Sequence, residues 1–199
     1  SMFTVYSGAT VRLENMTIDG NNVKDTTSSG GAFRMDANGA NRTLKLMEGT
    51  TLKNLQAATG GAAWMRVIYM YDGVTVENCT ATDGGGLYAS AEMRMYGGTI
   101  KGCSATNNGG AIYVNTTNST TAFSGGMIDD CHAGKWGGAI TVTQTSTSTA
   151  TKATFGGTTI QNCTADSNGG AIYCNSKGTL ALTGGSITGC TSYASGDAV

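Results

Sequence analysis

Six cysteines, a single histidine, one pair of adjacent aspartates and a recurring aromatic position are the side chains of this 199-residue chain that invite a chemical reading. Five of the cysteines (Cys79, Cys103, Cys131, Cys163 and Cys190) follow an aliphatic residue by three positions. Thiols at a recurring spacing raise metal or disulfide chemistry. A zinc site needs ligands that converge on a tetrahedron, usually from paired CxxC motifs, and none is present. Thiols stacked in a straight row have parallel Cβ vectors, which disfavours disulfides. The five are therefore read as small buried hydrophobes, with Cys174 a further interior thiol in another row. His132 has no second histidine and no nucleophile placed beside it, and it aligns with Gln56, Thr80, Ser104, Thr164 and Thr191 as an outward polar position. Asp129-Asp130 raises glycoside hydrolysis, which requires two carboxyls facing each other across a cleft. Asp130, however, falls at a recurring Gly/Asn/Asp position, where the reason for the residue is backbone conformation. No catalytic residue, cofactor or metal is assigned on these grounds.

The aromatic position remains. It follows a recurring Gly-Gly-small-apolar motif and reads Arg34, Trp64, Tyr88, Tyr113, Thr141 and Tyr173. Four of these six side chains are aromatic at a position that alternation directs outward. Flat rings on a solvent-facing sheet suit stacking on sugar rings or burial in a protein interface. The competing explanation is that Tyr and Trp favour strands and stack on one another.

What positions these residues is a repeat. The Gly pairs begin at Gly30, Gly60, Gly84, Gly109, Gly137 and Gly169, with a degenerate Gly196-Asp197-Ala198-Val199, at spacings of 30, 24, 25, 28, 32 and 27. The aliphatic residue of the second motif (Ile18, Leu52, Val76, Ile100, Ile128, Ile160, Ile187) precedes the next Gly pair by 12, 8, 8, 9, 9, 9 and 9 residues. That arm is nearly constant. The variation lies in the other arm, where Thr116–Thr121 and Thr143–Thr151 are expected to be loops. The apolar runs are too short for amphipathic helices and are cut by Gly pairs.

The expected fold is therefore all-β: a right-handed parallel β-helix of about seven coils, each of three short strands, with equivalent residues of successive coils stacked in rows. Predicted inward rows are Phe33, Ala63, Leu87, Ile112, Ile140 and Ile172; Met35, Met65, Ala89, Val114, Val142 and Cys174; the aliphatic and Cys positions; and Ala57, Ala81, Ala105, Ala133 and Ala165. A corner in left-handed conformation is expected at Gly20, Asn54, Asn78, Gly102, Asp130, Asn162 and Gly189. The third strand has Leu13, Met47, Tyr71, Met95, Phe123, Phe155 and Leu182 five residues before the aliphatic row. An alternative register through Leu44/Leu46 and Ile68/Met70 implies a one-residue bulge in two coils.

Residues 1–199 form one repeat array. Ser1-Met2 reads as a cloning remnant and the last motif stops mid-coil, so the segment is expected to come from a longer protein with further coils or domains. The formal charge is −1 and only 13% of residues are charged, giving no electrostatic case for nucleic acid or an anionic membrane. No apolar run approaches a bilayer-spanning length.

The segment Ile100-x-x-Cys103-x-Ala105-x-x-x-Gly109-Gly110-Ala111-Ile112-Tyr113 resembles the repeat of chlamydial polymorphic outer-membrane proteins in its G-G-A-I half, with Ile and Cys where that family has F-x-x-N. Similar repeats occur in bacterial surface proteins of the pectate-lyase-like β-helix superfamily. The resemblance implies an extracellular or cell-surface adhesin. The expected function is a non-catalytic module that binds a glycan or host surface protein through Arg34, Trp64, Tyr88, Tyr113 and Tyr173. The alternatives are a structural spacer and a fragment of a polysaccharide lyase or glycoside hydrolase.

Overall fold

A computed structural model describes residues 1–6, 8–24, 27–35, 42–116, 120–144, 152–175 and 179–194. Among them there is no helix, and every strand pairing is parallel, in a β-solenoid of about six turns. The seven motif copies count rungs, and seven rungs bound six turns, hence the lower number.

The rows predicted after the Gly corner and at the aliphatic position exist as hydrogen-bonded rung series. Phe3, Phe33, Ala63, Leu87, Ile112, Ile140 and Ile172 pair in succession after the Gly corner. Ile18, Leu52, Val76, Ile100, Ile128, Ile160 and Ile187 pair in the same way. The structure adds a fourth short strand to the expected three. Thr80–Asp83, Ser104–Asn108, His132–Ala133, Thr164–Ala165 and Thr191–Ser192 form a separate five-stranded sheet just beyond the thiol row. Its buried row consists of small side chains, Ala81, Ala105, Ala133, Ala165 and Ser192.

The third-strand row follows the alternative register. Leu13, Leu46, Met70, Met95, Phe123, Phe155 and Leu182 are in register. Met47 and Tyr71 do not face the core as the five-residue count suggested; Leu46 and Met70 do, both fully buried. The extra residue in these two coils is absorbed in turns at Gly49 (φ 74°) and Gly73 (φ 72°). The expected loops shrink as well. Thr116 ends the strand Ile112–Thr116, Thr121 belongs to Thr120–Phe123, and Thr143 belongs to Ile140–Gln144. Residues 117–119 and 145–151, and the final Gly196–Val199 motif, lie outside the described residues.

Two corners explain the glycines and asparagines. Asn54, Asn78, Gly102, Asp130, Asn162 and Gly189 have φ between 52° and 62°, a region open to Gly and tolerated by Asn and Asp. In the first coil Gly20 does not take this conformation; Asn21 (φ 49°) and Asn22 (φ 55°) do. At the Gly pairs the first glycine has positive φ (65° at Gly109), while a Cβ on the second would run into the backbone carbonyl of the next coil.

Rows of identical chemistry fill the core. Phe123 and Phe155 stack at 4.6 Å with an 8° interplanar angle. Outside, the residue after the aliphatic row alternates in charge from coil to coil: Asp19, Lys53, Glu77, Lys101, Asp129. Lys53 lies 3.5 Å from Asp19 and Lys101 3.0 Å from Glu77. Both ends expose interior rows: Phe3 and Met16 at one, Leu182 at the other.

Candidate functional site

The aromatic row is one rung series: Thr4, Arg34, Trp64, Tyr88, Tyr113, Thr141, Tyr173. Its strands follow immediately on the Gly corners, whose tight turns fix where each outward side chain emerges. Arg34 is exposed and donates from Nε to Thr4 Oγ1 at 3.2 Å. Trp64, Tyr88, Tyr113 and Tyr173 are half-buried.

Thr141 departs from expectation: it is outward in register but fully buried. The cover comes from Trp136, which sequence reasoning missed. Trp136 precedes the Gly137-Gly138 corner, accepts a 2.7 Å hydrogen bond from Thr141 Oγ1 on its carbonyl, and stacks on Tyr173 at 4.9 Å and 17°. The small Thr leaves room in the row, and a ring from the preceding corner enters it. The signal available in the sequence was a Trp at a corner position that otherwise reads Ser29, Thr59, Asp83, Asn108 and Asn168.

The rings of the row do not offer equal surfaces. Tyr88 and Tyr113 stack at 4.8 Å and 19°, so each covers a face of the other. Tyr113 Oη accepts from Thr143 Oγ1 at 2.9 Å. Burial raises the phenol of Tyr88 to about 12, with a smaller push in the same direction from Tyr113 and Asp83; burial also raises Tyr113. Trp64, by contrast, stacks on no other ring among the described residues, and its indole rests against the apolar core.

A second aromatic group lies on the same strands. Ala63–Met70 and Leu87–Met95 run unbroken from the Gly corner through the third-strand position, whereas the other coils carry extra residues between the two. The pairing register shifts between Ala89 and Glu92, which bends the ribbon. Tyr69 and Tyr96 meet edge-on at 6.4 Å, Tyr71 and Tyr96 stack at 5.0 Å, and Tyr96 is 40% exposed. Tyr69 Oη donates to Glu92 Oε1 at 3.2 Å, Glu92 is ion-paired with Arg94, and the Arg94 guanidinium lies 5.9 Å from the Tyr69 ring centre. The adjacent charge of Arg94 partly offsets the burial and Glu92 charge that raise the Tyr69 phenol. Tyr71 was placed in the interior by its sequence spacing, which is why this group went unseen.

The residues raised for catalysis are not brought together into a facing pair. Asp130 is exposed in the left-handed corner, and Asp129 accepts from Asn162 Nδ2 at 2.9 Å. His132 Nδ1 lies 3.0 Å from Thr164 Oγ1 and Nε2 3.7 Å from Asp166 Oδ2, an outward polar contact in the rung series Ser104, His132, Thr164. All six cysteines are free. Cys79, Cys103, Cys131 and Cys163 are buried in one row, and Cys174 and Cys190 are half-buried. A hydrogen bond with the neighbouring thiol Cys103, together with burial, pushes Cys79 well above the usual thiol range. No cluster of three or more His, Cys, Asp or Glu suited to a metal ion occurs among the described residues. A shallow groove of about 310 Å³ runs along Gln56–Ala58, Thr80–Thr82, Ser104 and Thr106, and no ring lines it.

No protein-family model, curated protein or solved structure matches this chain.

Proposed function

We propose that this β-solenoid is a non-catalytic, cell-surface or secreted binding module that holds a glycan against the outward ring-bearing sheet. The observation that carries this reading is Trp64: a half-buried indole on the outward side of the sheet, with no stacking partner among the described residues and with Arg34 beside it in register. An indole face left unpaired in this way matches the apolar face of a pyranose, and a neighbouring guanidinium supplies hydrogen-bond donors for its oxygens. Tyr88, Tyr113 and Tyr173 support the site from the same row, though the stacking of Tyr88 on Tyr113 and of Tyr173 on Trp136 assigns them more to framing the platform than to forming it. The resemblance of the repeats to those of bacterial surface adhesins supports the location and the partner class.

The test is binding on a glycan array, with a panel of host surface proteins as the competing partner. Trp64→Ala is expected to abolish glycan capture, and Tyr113→Ala to weaken it by less than tenfold, because a stacked ring lends less free surface. Unchanged binding in Trp64→Ala, or capture of a protein and no glycan, would overturn the reading.

A further inference from the structure

The ribbon formed by Ala63–Met70 and Leu87–Met95, with the flanking strands Phe33–Met35 and Thr43–Leu46, has an uneven charge. Its outward positions carry Arg34, Lys45, Arg66 and Arg94 against a single carboxylate, Glu92, in a chain whose formal charge is −1. The cations are interleaved with rings: Arg34 is in register with Trp64, and Lys45, Tyr69 and Arg94 form one rung series. Arg94 is committed to Glu92 and to the Tyr69 ring. The side chains of Arg66 and Lys45 make no ion pair or hydrogen bond among the described residues. Arg66 lies between the two aromatic groups, at the shift in strand register, where the paired rungs skip it.

Cations on an outward face cost little in solvent, and with Arg94 paired to Glu92 the other three, Arg34, Lys45 and Arg66, leave a local positive field along these strands. From Trp64 to Tyr69 the strand covers no more than about 17 Å at ~3.3 Å per residue. An extended chain of a few sugars reaches both aromatic groups, with Arg66 between them.

We infer that the ribbon from Trp64 to Tyr96 binds a linear anionic glycan, its sugar rings on Trp64 and on Tyr71/Tyr96 and an acidic group on Arg66. This rests on the glycan-binding reading above and adds to it the charge class and the second platform. A planar guanidinium suits the bidentate geometry of a carboxylate or sulfate. Rings and cations together also suit single-stranded nucleic acid. The glycan is favoured because carboxylates stand at both ends of the ribbon: Asp83 directly precedes the Gly84 corner, and the Asp72 side chain lies against Gly97, next to Tyr96. A polymer with a phosphate at every unit meets those acids, whereas one with a carboxylate at alternate sugars passes between them.

The experiment is calorimetric titration of the whole chain with hexasaccharides of hyaluronan (carboxylate only), a sulfated chondroitin and neutral chitohexaose, and with an oligothymidylate. The acidic sugars are expected to bind about tenfold more tightly than chitohexaose at low salt, and the preference to shrink as salt is raised. Equal affinity for hyaluronan and the chondroitin, which share the carboxylate, assigns the carboxylate to Arg66; tighter binding of the chondroitin assigns its added sulfate. Arg66→Gln brings the affinity for the acidic hexasaccharides down to that for chitohexaose; Lys45→Gln reduces the preference in part, and serves as the second variant if the first is misfolded. Tyr96→Ala weakens hexasaccharides but not disaccharides, which need only one platform. Equal affinity for acidic and neutral sugars, or no effect of either cation variant, overturns the anionic assignment and leaves glycan binding through Trp64 standing. Tighter binding of oligothymidylate than of any sugar overturns it in favour of nucleic acid. Failure of every sugar to bind overturns this inference and the proposed function together.

Discussion

At the scale of single residues, glycine at the second position of each Gly pair is dictated by what surrounds it. The Cα of Gly110 faces the carbonyl oxygens of Gly138 and His132 in the next coil, so a methyl there must push two coils apart. Gly110→Ala is expected to destabilise the protein by about 3 kcal/mol or more, read as a shift in the denaturation midpoint. Gly156→Ala, whose added methyl would meet only the Thr183 hydroxyl at 3.3 Å, is expected to cost less than about 1 kcal/mol. Tyr88 gives a prediction in pH. Its phenol is raised to about 12 in the folded chain, above the value of about 10 for a free tyrosine. The folded state therefore resists ionisation. The contribution of Tyr88 to stability is complete below pH about 10 and is lost as pH rises through about 12. Absorbance titration should show its phenolate forming last among the exposed and half-buried tyrosines, and Tyr88→Phe should remove that late step.

At the scale of the strand, parallel stacking turns every position into a row, so like side chains become neighbours. Apolar rows gain from this, as Phe123 on Phe155 does. A charged row gains only if signs alternate, which Asp19, Lys53, Glu77, Lys101 and Asp129 do. Lys101→Glu would place three acids in successive rungs. Since the pair Lys101–Glu77 is partly solvent-exposed, the expected cost is about 0.5–1 kcal/mol at low ionic strength, shrinking in high salt. A melting temperature unchanged by the substitution at low salt would show that the row contributes nothing.

At the scale of the molecule, each coil is held only by the coils above and below it. Interior windings around Leu87–Ile140 have fully buried rows on both sides, whereas Leu182 and Tyr193 near one end are 52% and 73% exposed. In the 199-residue segment taken by itself, stability should therefore fall from the doubly covered windings toward these exposed rows. Native-state hydrogen exchange is expected to give the backbone amides of Ile112–Thr116 the highest protection, and those of Thr179–Thr188 opening free energies well below the global value. Uniform protection from end to end would mean that the stack opens only as one unit. The same modular build leaves the outward surface of the coils free to vary, which is how a ring-bearing ribbon is carried without disturbing the core.

The sequence by itself determined the winding. Gly pairs, the aliphatic-x-x-Cys motif and the Asn/Gly corner recur at spacings that admit one stacking, because hydrogen bonding between coils requires equivalent residues to lie over one another. The thiol row, the alanine row, the left-handed corners beyond the first coil and the outward Trp64/Tyr88/Tyr113 series were all legible for that reason. Tertiary structure decided what repetition leaves open. Tyr71 and Met47 lost their inward places to Met70 and Leu46, because one extra residue in a turn reverses the faces of the strand. Trp136 entered the aromatic row from a corner to fill the space over Thr141. Two unbroken strands brought Tyr69, Tyr96 and Arg66 onto the ribbon that carries Trp64. These are contacts between different positions of the repeat, set by packing and by local chain length, and the period of a sequence holds no information about them.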